Sequence, residues 1–332
     1  METKIFKKEE IPEAVSLLKK GELVAFPTET VYGLGALATN EKAVKSVYKA
    51  KGRPSDNPLI VTVADEEMMT HYVKEIPKRA KKLIDHFWPG PLTMILFAKE
   101  GMLPTAVTGG LPTAAFRCPQ DELTHELIKQ LGEPIVGPSA NTSTKPSPTT
   151  AQHVYHDLKG KIAGIIDNGP TKIGLESTII DLSVDTPIVL RPGEITPKEL
   201  SEVLGENVLI NKGTAKTSGV PKAPGMKYRH YAPSAPVYIV DKEKDFNSIP
   251  TGEEVGIVAL DTILNKINAP NKFSLGTTIE DAAHNLFGAL RFFDNQPGIK
   301  EIYVQGFSNG DISAAYMNRL NKSAAGNHFS KK

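Results

Sequence analysis

The chain has 332 residues and a mean hydropathy of −0.23, so we expect two globular domains and exclude wholesale disorder. Its 39 Lys and Arg balance 38 Asp and Glu, and this net charge of +1 provides no global basic field for nucleic acid. The single cysteine, Cys118, excludes a disulfide framework and a paired-cysteine zinc or redox site. No apolar run is long enough to cross a bilayer, and METKIFKKEEIPEAV at the N-terminus lacks the apolar core of a signal peptide. We therefore expect a cytoplasmic protein that does not contact membranes.

The first 210 residues alternate short apolar runs with segments of helical periodicity. Helices are predicted from Ile11 to Leu18, after Asn40, and at 77–87, 120–131 and 196–204. Strands are predicted at 23–26, 58–63, 92–98, 113–118, 134–137, 164–167, 177–182 and 187–190. These strands are mostly apolar on both faces, but several follow one another directly. We therefore predict an α/β fold with a large, twisted mixed sheet covered by helices, rather than a doubly wound parallel sheet.

A stretch rich in Gly and Pro at 211–236 predicts a linker between two domains. After it, strands are predicted at 237–240, 254–260 and 301–307 and helices at 278–293 and 311–322, which is typical of a small Rossmann-like α/β domain. The predicted domains are therefore 1–210 and 237–332. The linker also contains Tyr228, Arg229, His230 and Tyr231. The stretch has no evident core of its own that would explain aromatic side chains, and a passive tether would favour Gly and Ser. These side chains therefore predict a lid over a binding cleft.

Polar segments follow several predicted strands and helices. PTETVYGLG (27–35) follows a strand, KGRPSDNP (51–58) places two cations at a helix end, and GPSANTS (137–143) offers hydroxyls and backbone N–H groups. Arg117 lies inside an apolar strand, where a cation must be paired or must face a cavity, and Arg191 ends another strand. Because α/β sheets bind ligands at strand ends, these segments predict an anion-binding cleft.

Each segment also has a purely structural interpretation. The first segment could be a Gly-rich turn, the second a solvated helix end, the third an N-cap cluster, and either arginine half of a salt bridge. Dinucleotide binding at Gly33 and Gly35 is rejected, because six residues separate the predicted strand from Gly33 and the acidic residue Asp56 lies in a turn. The sequence has no P-loop motif and no HExxH zinc motif.

Taken together, PTETVYGLG, KGRPSDNPLIV, AAFRCP, PSANTS, LESTIID and RPG resemble the motifs of the YrdC/Sua5 family, the threonylcarbamoyl-AMP synthases. PGMKYRHYAP and the α/β tail look like those of the long Sua5-type members. The resemblance implies a YrdC-like catalytic domain at 1–210, a linker at 211–236 that would close over the active site, and a Sua5-type C-terminal domain at 237–332. It implies an enzyme, L-threonylcarbamoyladenylate synthase, which is a nucleotidyltransferase. This enzyme joins L-threonine, bicarbonate or CO2, and ATP into threonylcarbamoyl-AMP and releases pyrophosphate.

The product of that reaction serves t6A37 modification of tRNAs reading ANN codons, so the implied partners are the downstream t6A transferase machinery and, weakly, RNA. The implied cofactor is Mg2+ carried with ATP and bound largely by phosphate oxygens rather than by a cage of protein carboxylates, and no residue of this sequence is assigned as its ligand.

The family's site residues transfer onto matching positions of this sequence. The tetrad written KxR…SxN in the family, taken as catalytic, corresponds to Lys51, Arg53, Ser139 and Asn141. L-Threonine would contact Thr30, Thr62, Arg117, Gly137 and Ser177, with Arg117 pairing its carboxylate. ATP would contact Arg53, Asn57, Thr113, Ser139, Ser147, Arg191 and Tyr231. Many members carry His in place of Thr62, so a contact there would be made by a hydroxyl or would be weaker.

Two other function classes stay open at the level of sequence. One is a module that binds double-stranded RNA or tRNA through the Lys42–Arg53 surface without catalysis. The other is a carbamoyl-transfer enzyme like the hydrogenase maturation proteins, which share the domain. Those proteins also carry zinc fingers, which a single cysteine excludes.

Overall fold

The structure is a computed structural model of the chain, and it describes residues 2–55, 57–211, 222, 230–308 and 310–330. The chain divides into two compact units. The first comprises 1–143, 148–171 and 176–227, and the second comprises 144–147, 172–175 and 228–332. Of the residues singled out above, Asp56, Tyr228 and Arg229 lie outside the described part. No described helix combines the length and the apolar character that a bilayer crossing requires.

The described part of the first unit contains a mixed sheet of eleven strands. In chain order they are β1 (Lys4–Phe6), β2 (Val24–Phe26), β3 (Gly33–Leu37), β4 (Ile60–Thr62), β5 (Leu92–Phe97), β6 (Thr113–Arg117), β7 (Ile135–Val136), β8 (Gly164–Ile166), β9 (Thr178–Asp181), β10 (Ile188–Arg191) and β11 (Leu209–Ile210). Across the sheet their order is β1-β8-β2-β3-β7-β4-β6-β5-β9-β10-β11. Both parallel and antiparallel neighbours occur along it, which confirms the predicted mixed sheet.

Helices cover both faces of this sheet. They are α1 (Ile11–Lys19), α2 (Glu41–Lys51), α3 (Glu66–Thr70), α4 (Lys78–Phe87), α5 (Thr105–Thr108), α6 (Glu122–Leu131), α7 (Ala151–Leu158) and α8 (Pro197–Leu204). Val24 and Phe26 pack with apolar residues of α1 and α6, whereas Ala25 packs with those of α2, α4 and α7. Successive strand residues thus serve opposite cores, which is why β2 is apolar throughout.

Helix α2 determines where the predicted cations lie. Asn40 caps its start by accepting the backbone N–H of Ala43 at 3.1 Å. Gly52 ends the helix in the left-handed region, at a φ of 63° that a side-chain-bearing residue rarely adopts. The chain therefore turns directly after Lys51 and carries Arg53 toward β4.

The segment 27–35, predicted to be entirely loop, instead contains the start of strand β3. This strand pairs with β2 on one side and β7 on the other. A Cβ on Gly33 would lie 2.4 Å from Cζ of Phe26, so glycine is required here for the aromatic ring to pack against the backbone. Because Gly is depleted in strands generally, the sequence did not indicate β structure at this position.

In its described residues the second unit contains a four-stranded parallel sheet. Its elements are β12 (Val237–Val240), β13 (Val255–Ala259), α9 (Asp261–Leu264), β14 (Lys272–Ser274), α10 (Ile279–Asp294), β15 (Glu301–Gln305) and α11 (Asp311–Ser323). The strand order is β12-β15-β13-β14. The predicted small α/β domain is confirmed, and β14 is added as a short edge strand that the sequence did not indicate.

The second unit also includes the short segment 144–147 from the middle of the chain. Arg291 on α10 donates from Nη2 to the carbonyl oxygen of Pro146 at 2.6 Å. Lys145 forms an ion pair with Asp294 at 2.8 Å, and His284 donates from Nδ1 to the carbonyl oxygen of Lys172 at 2.8 Å. Helix α10 is therefore bound to residues that precede it by more than a hundred positions.

Candidate functional site

A row of polar side chains crosses the middle of the large sheet. Thr62 on β4 is the register partner of Arg117 on β6, and Arg117 is also opposite Thr93 on β5. Register partners point to the same face of a sheet, so the three side chains are neighbours. Ser177, just before β9, lies with its Oγ 2.8 Å from Oγ1 of Thr93. Gly137 adjoins the row, because a Cβ there would lie 2.6 Å from Oγ1 of Thr62.

Four of the five residues predicted to bind threonine are thus brought together by strand pairing: Thr62, Arg117, Gly137 and Ser177. The fifth, Thr30, is fully buried in the β2–β3 loop. Its hydroxyl lies 2.8 Å from that of Thr28. Thr93 was not predicted, because a threonine inside a strand is ordinary and nothing in the sequence distinguishes it.

The cation in the middle of the row is paired with an acid that was also not predicted. Nη2 of Arg117 lies 2.7 Å from Oε2 of Glu29, and both side chains are buried. Glu29 belongs to the β2–β3 loop, so the pair joins two segments far apart in sequence. The only available signal was a carboxylate beside a strand end, which does not reveal its partner.

Lys51 connects the end of α2 to the loop that follows β7. It is 3% exposed, and Nζ donates to the carbonyl oxygens of Ser139 and Asn141, the latter at 2.7 Å. Oδ1 of Asn141 lies 3.5 Å from the same nitrogen. Three residues of the predicted tetrad therefore meet, and the ammonium fixes the backbone of their loop.

Arg53, the fourth tetrad residue, lies close to Asn57. Nη2 of Arg53 is 3.4 Å from the carbonyl oxygens of Asn57 and Pro58, and the guanidinium lies 5.9 Å from the ring centroid of Tyr48. Asn57 is completely buried, yet within the described residues neither Oδ1 nor Nδ2 of its amide has a hydrogen-bond partner. A buried amide without partners indicates a place where a polar ligand or water binds.

Arg191 links the two predicted substrate sets. Its Nε donates to the carbonyl oxygen of Ser177 at 3.0 Å, and its Nη2 donates to the hydroxyl of Ser177 at 3.1 Å. A residue predicted to bind ATP is therefore in direct contact with one predicted to bind threonine.

Thr113, also predicted to bind ATP, begins β6, whereas Arg117 ends it. The two residues are therefore separated along the strand by about 13 Å, at ~3.3 Å per residue.

Two further residues predicted to bind ATP, Ser147 and Tyr231, belong to the second unit. The ring of Tyr231 is buried and packs against Phe287 at a centroid separation of 5.1 Å. The linker argument assumed that this ring had no core of its own, and in that respect it is wrong. An ATP contact by either residue stays a prediction.

Burial and neighbouring charge shift two pKa values near the paired acid. Burial raises the pKa of Glu194, and the negative charge of Glu29 raises it further. Burial also raises the pKa of the Cys118 thiol to about 12, with smaller contributions from Asp65 and Glu29. Cys118 follows β6, so it lies one residue beyond Arg117.

We expect Cys118 to be unreactive in the native protein. With a pKa near 12, the thiolate fraction of Cys118 at pH 8 is about 1,000-fold below that of an exposed thiol. Because only the thiolate reacts, the reaction rate should be lower by the same factor. Ellman's reagent should label no thiol in the native protein and one per chain in guanidinium chloride. Rapid native labelling would contradict the burial of this side chain.

Among the described residues, no three His, Cys, Asp or Glu side chains cluster in a way that could hold a metal ion. The charged groups gathered at this sheet face are instead the guanidinium groups of Arg117 and Arg191 and the carboxylate of Glu29. The arrangement is suited to binding a small ligand that carries both a carboxylate and hydrogen-bond donors.

Comparisons with known proteins cover nearly the whole chain. A family described as telomere recombination, Sua5_yciO_yrdC, matches residues 16–193, and the threonylcarbamoyl-AMP synthase C-terminal domain matches residues 195–325. The threonylcarbamoyl-AMP synthase of Pyrococcus abyssi is 45% identical over 94% of this chain and 93% of its own. The threonylcarbamoyl-AMP synthase of Bacillus subtilis is 45% identical over 96% of this chain and 93% of its own. The crystal structure of P. abyssi Sua5 complexed with L-threonine superposes with a TM-score of 0.90 at 42% identity and covers 100% of both chains.

Proposed function

This chain belongs to the Sua5–YciO–YrdC family, and from that premise we propose that it joins L-threonine, bicarbonate or CO2, and ATP into threonylcarbamoyl-AMP, releasing pyrophosphate. It is an enzyme of the transferase class to which its threonylcarbamoyl-AMP synthase relatives belong. In the proposal its product serves t6A37 modification of tRNAs reading ANN codons, through a downstream transferase machinery.

The observation that carries the proposal is the polar row around Arg117. In a chain 42% identical to a Sua5 crystallised with L-threonine, strand pairing gathers Thr62, Arg117 and Ser177, with Gly137 beside them. A guanidinium group offers a planar fork that matches a carboxylate. Arg117 would therefore bind the α-carboxylate of threonine.

The nucleotide half of the proposal rests on charge and on pre-positioned donors. Arg53 would bind phosphate oxygens, and Asn57 would use its unpartnered amide. The reaction needs no covalent nucleophile, so positioning and charge neutralisation supply the catalysis. Lys51 contributes by holding the loop at Ser139 and Asn141 in place. Mg2+ would enter with ATP, with phosphate oxygens as its main ligands.

The decisive experiment supplies ATP, Mg2+, L-threonine and carbon-13 bicarbonate to the full chain. We expect mass spectrometry to detect threonylcarbamoyl-AMP that carries the label, together with one pyrophosphate per product. Omitting threonine should abolish the product. Salt-sensitive RNA binding without pyrophosphate release would instead support the RNA-binding alternative.

We also expect Tyr231 to contribute its hydroxyl to ATP binding. Tyr231→Phe keeps the ring that packs on Phe287, so this packing should be retained. Loss of one hydrogen bond, worth about 1–2 kcal/mol, should raise the KM for ATP about 5–30-fold.

This variant is a cleaner test of the linker than truncation after Lys212, which would also remove the partners of segment 144–147. Phe292→Ala removes an exposed ring from the same unit and serves as the control. If Tyr231→Phe leaves the KM for ATP unchanged, its hydroxyl does not bind the nucleotide.

A further inference from the structure

The buried pair of Glu29 and Arg117 is chemically incomplete. The two residues are 4% and 8% exposed, and their charged groups approach to 2.7 Å. No N–H of Nη2 is directed at the carboxylate, however. Within the described residues, neither carboxylate oxygen of Glu29 nor Nη2 of Arg117 forms a hydrogen bond. Buried polar groups are nearly always satisfied in native proteins, so these three atoms indicate a position at which a polar ligand binds.

The unsatisfied atoms are of two complementary kinds. Glu29 offers two acceptor oxygens with negative charge, and Arg117 offers a donor nitrogen with positive charge. An α-amino acid carries an ammonium group and a carboxylate on the same carbon, and so it can satisfy both kinds at once. We propose that Glu29 binds the α-ammonium group of the threonine substrate while Arg117 binds its α-carboxylate. This inference rests on the proposed function and adds a residue to which the family resemblance gave no role.

The loop that carries Glu29 is held in place at several points. Oγ1 of Thr124 donates to the carbonyl oxygen of Pro27 at 2.6 Å. The hydroxyl of Thr28 accepts the backbone N–H groups of Thr30 and Val31 at 3.1 and 3.2 Å. A carboxylate on a fixed loop is pre-organised, so little entropy is lost when it binds an ammonium group.

Binding the ammonium group has a chemical consequence for the proposed reaction. To react, the ammonium group of threonine loses one proton to solvent, and the lone pair of the resulting amine attacks the carbon of CO2 or bicarbonate. A carbamate forms, with release of a second proton in the case of CO2 or of water in the case of bicarbonate. The enzyme therefore has to orient the nitrogen as well as the carboxylate. Two contacts on one carbon fix that orientation, whereas Arg117 alone would leave the amino acid free to rotate about its carboxylate. The acid–base pair therefore predicts selection for α-amino acids over hydroxy acids.

Three ligands separate recognition of the ammonium group from mere support of Arg117. L-Threonine carries both charged groups, L-threoninol lacks the carboxylate, and 3-hydroxybutyrate lacks the ammonium group. Their binding or inhibition constants should be measured for the full chain and for Glu29→Gln. We expect this substitution to weaken the binding of L-threonine and of L-threoninol by about 10–150-fold, because a charge-assisted hydrogen bond is lost. The affinity for 3-hydroxybutyrate and for ATP should not change.

If Glu29 only orients Arg117, Glu29→Gln will weaken the binding of 3-hydroxybutyrate as strongly as the binding of threonine, and the inference is overturned. Unchanged threonine affinity overturns it as well. Should Glu29→Gln fail to fold, Glu29→Asp keeps the charge but withdraws it by one methylene. For this variant we expect weaker binding of L-threonine and L-threoninol and an unchanged affinity for 3-hydroxybutyrate. Glu67→Gln, an exposed substitution on α3, is the control for altered net charge.

The synthesis assay separates failure of this inference from failure of the proposed function. If the wild-type protein makes labelled threonylcarbamoyl-AMP while Glu29→Gln keeps its KM for threonine, only the role of Glu29 is refuted. If the wild-type protein makes no such product, the function itself is refuted.

Discussion

Replacing Arg117 with alanine should destabilise the first unit by about 3–5 kcal/mol, the usual cost of removing one partner of a buried ion pair. The substitution would leave the carboxylate of Glu29 buried without its cation. Trp88, the single tryptophan of the chain, lies in the first unit, so its fluorescence during urea unfolding reports on that unit alone. Threonine binding should be lost in the same variant.

Two comparisons check the cause of this destabilisation. Arg79 and Glu206 form a partly exposed pair with two contacts of 2.6 Å, and Arg79→Ala should cost no more than about 1 kcal/mol because water screens it. The double variant Arg117→Met with Glu29→Gln removes both charges and should recover part of the lost stability. An Arg117→Ala protein as stable as Arg79→Ala would refute the buried ion pair.

Arg53→Ala should lower kcat/KM for ATP by about 10–150-fold, equivalent to the 1.5–3 kcal/mol of a charge-assisted contact. The reason is that Arg53 lies beside the unpartnered amide of Asn57, where the proposal places phosphate oxygens. Threonine affinity should be retained, since the residues gathered around Arg117 are unaltered.

Lys49→Ala is the matched control for Arg53→Ala, because it removes an exposed cation from the same end of α2. Its effect on kcat/KM should be small and should vanish at high salt. Arg53→Lys retains the charge without the planar fork, so its kcat/KM should lie between those of Arg53→Ala and Lys49→Ala. Equal kinetics for Arg53→Ala and the wild type would remove Arg53 from the nucleotide site.

The sequence predicted those features that depend on local pattern. The central strands are continuous apolar runs, and Arg117 stood out because a charge interrupts one of them. Glycine at the end of α2 likewise indicated where that helix stops. These signals lie within a few residues of the feature they predict.

The features that sequence missed depend on partners distant in the chain. Lys51 was predicted to belong to the anion-binding cleft and the catalytic tetrad, but the backbone oxygens that it contacts lie 88 and 90 residues further along the chain. In the sequence nothing distinguishes Glu29 from other acidic residues in turns, and its contact with Arg117 is seen only in the structure. Tyr231 was assigned no core of its own because Phe287, the ring on which it packs, lies beyond three intervening strands. Periodicity and propensity carry no information on such pairs.

The inclusion of segment 144–147 in the second unit has a consequence for synthesis on the ribosome. Arg291 lies 145 residues after Pro146, the carbonyl to which it donates. At roughly 5–20 residues per second, the ribosome needs about 7–30 s to supply that partner. Throughout this interval the guanidinium of Arg291 is not available to that carbonyl. The second unit consequently completes its folding last, and a ribosome that stalls within α10 leaves a nascent chain whose middle segment is open to proteases.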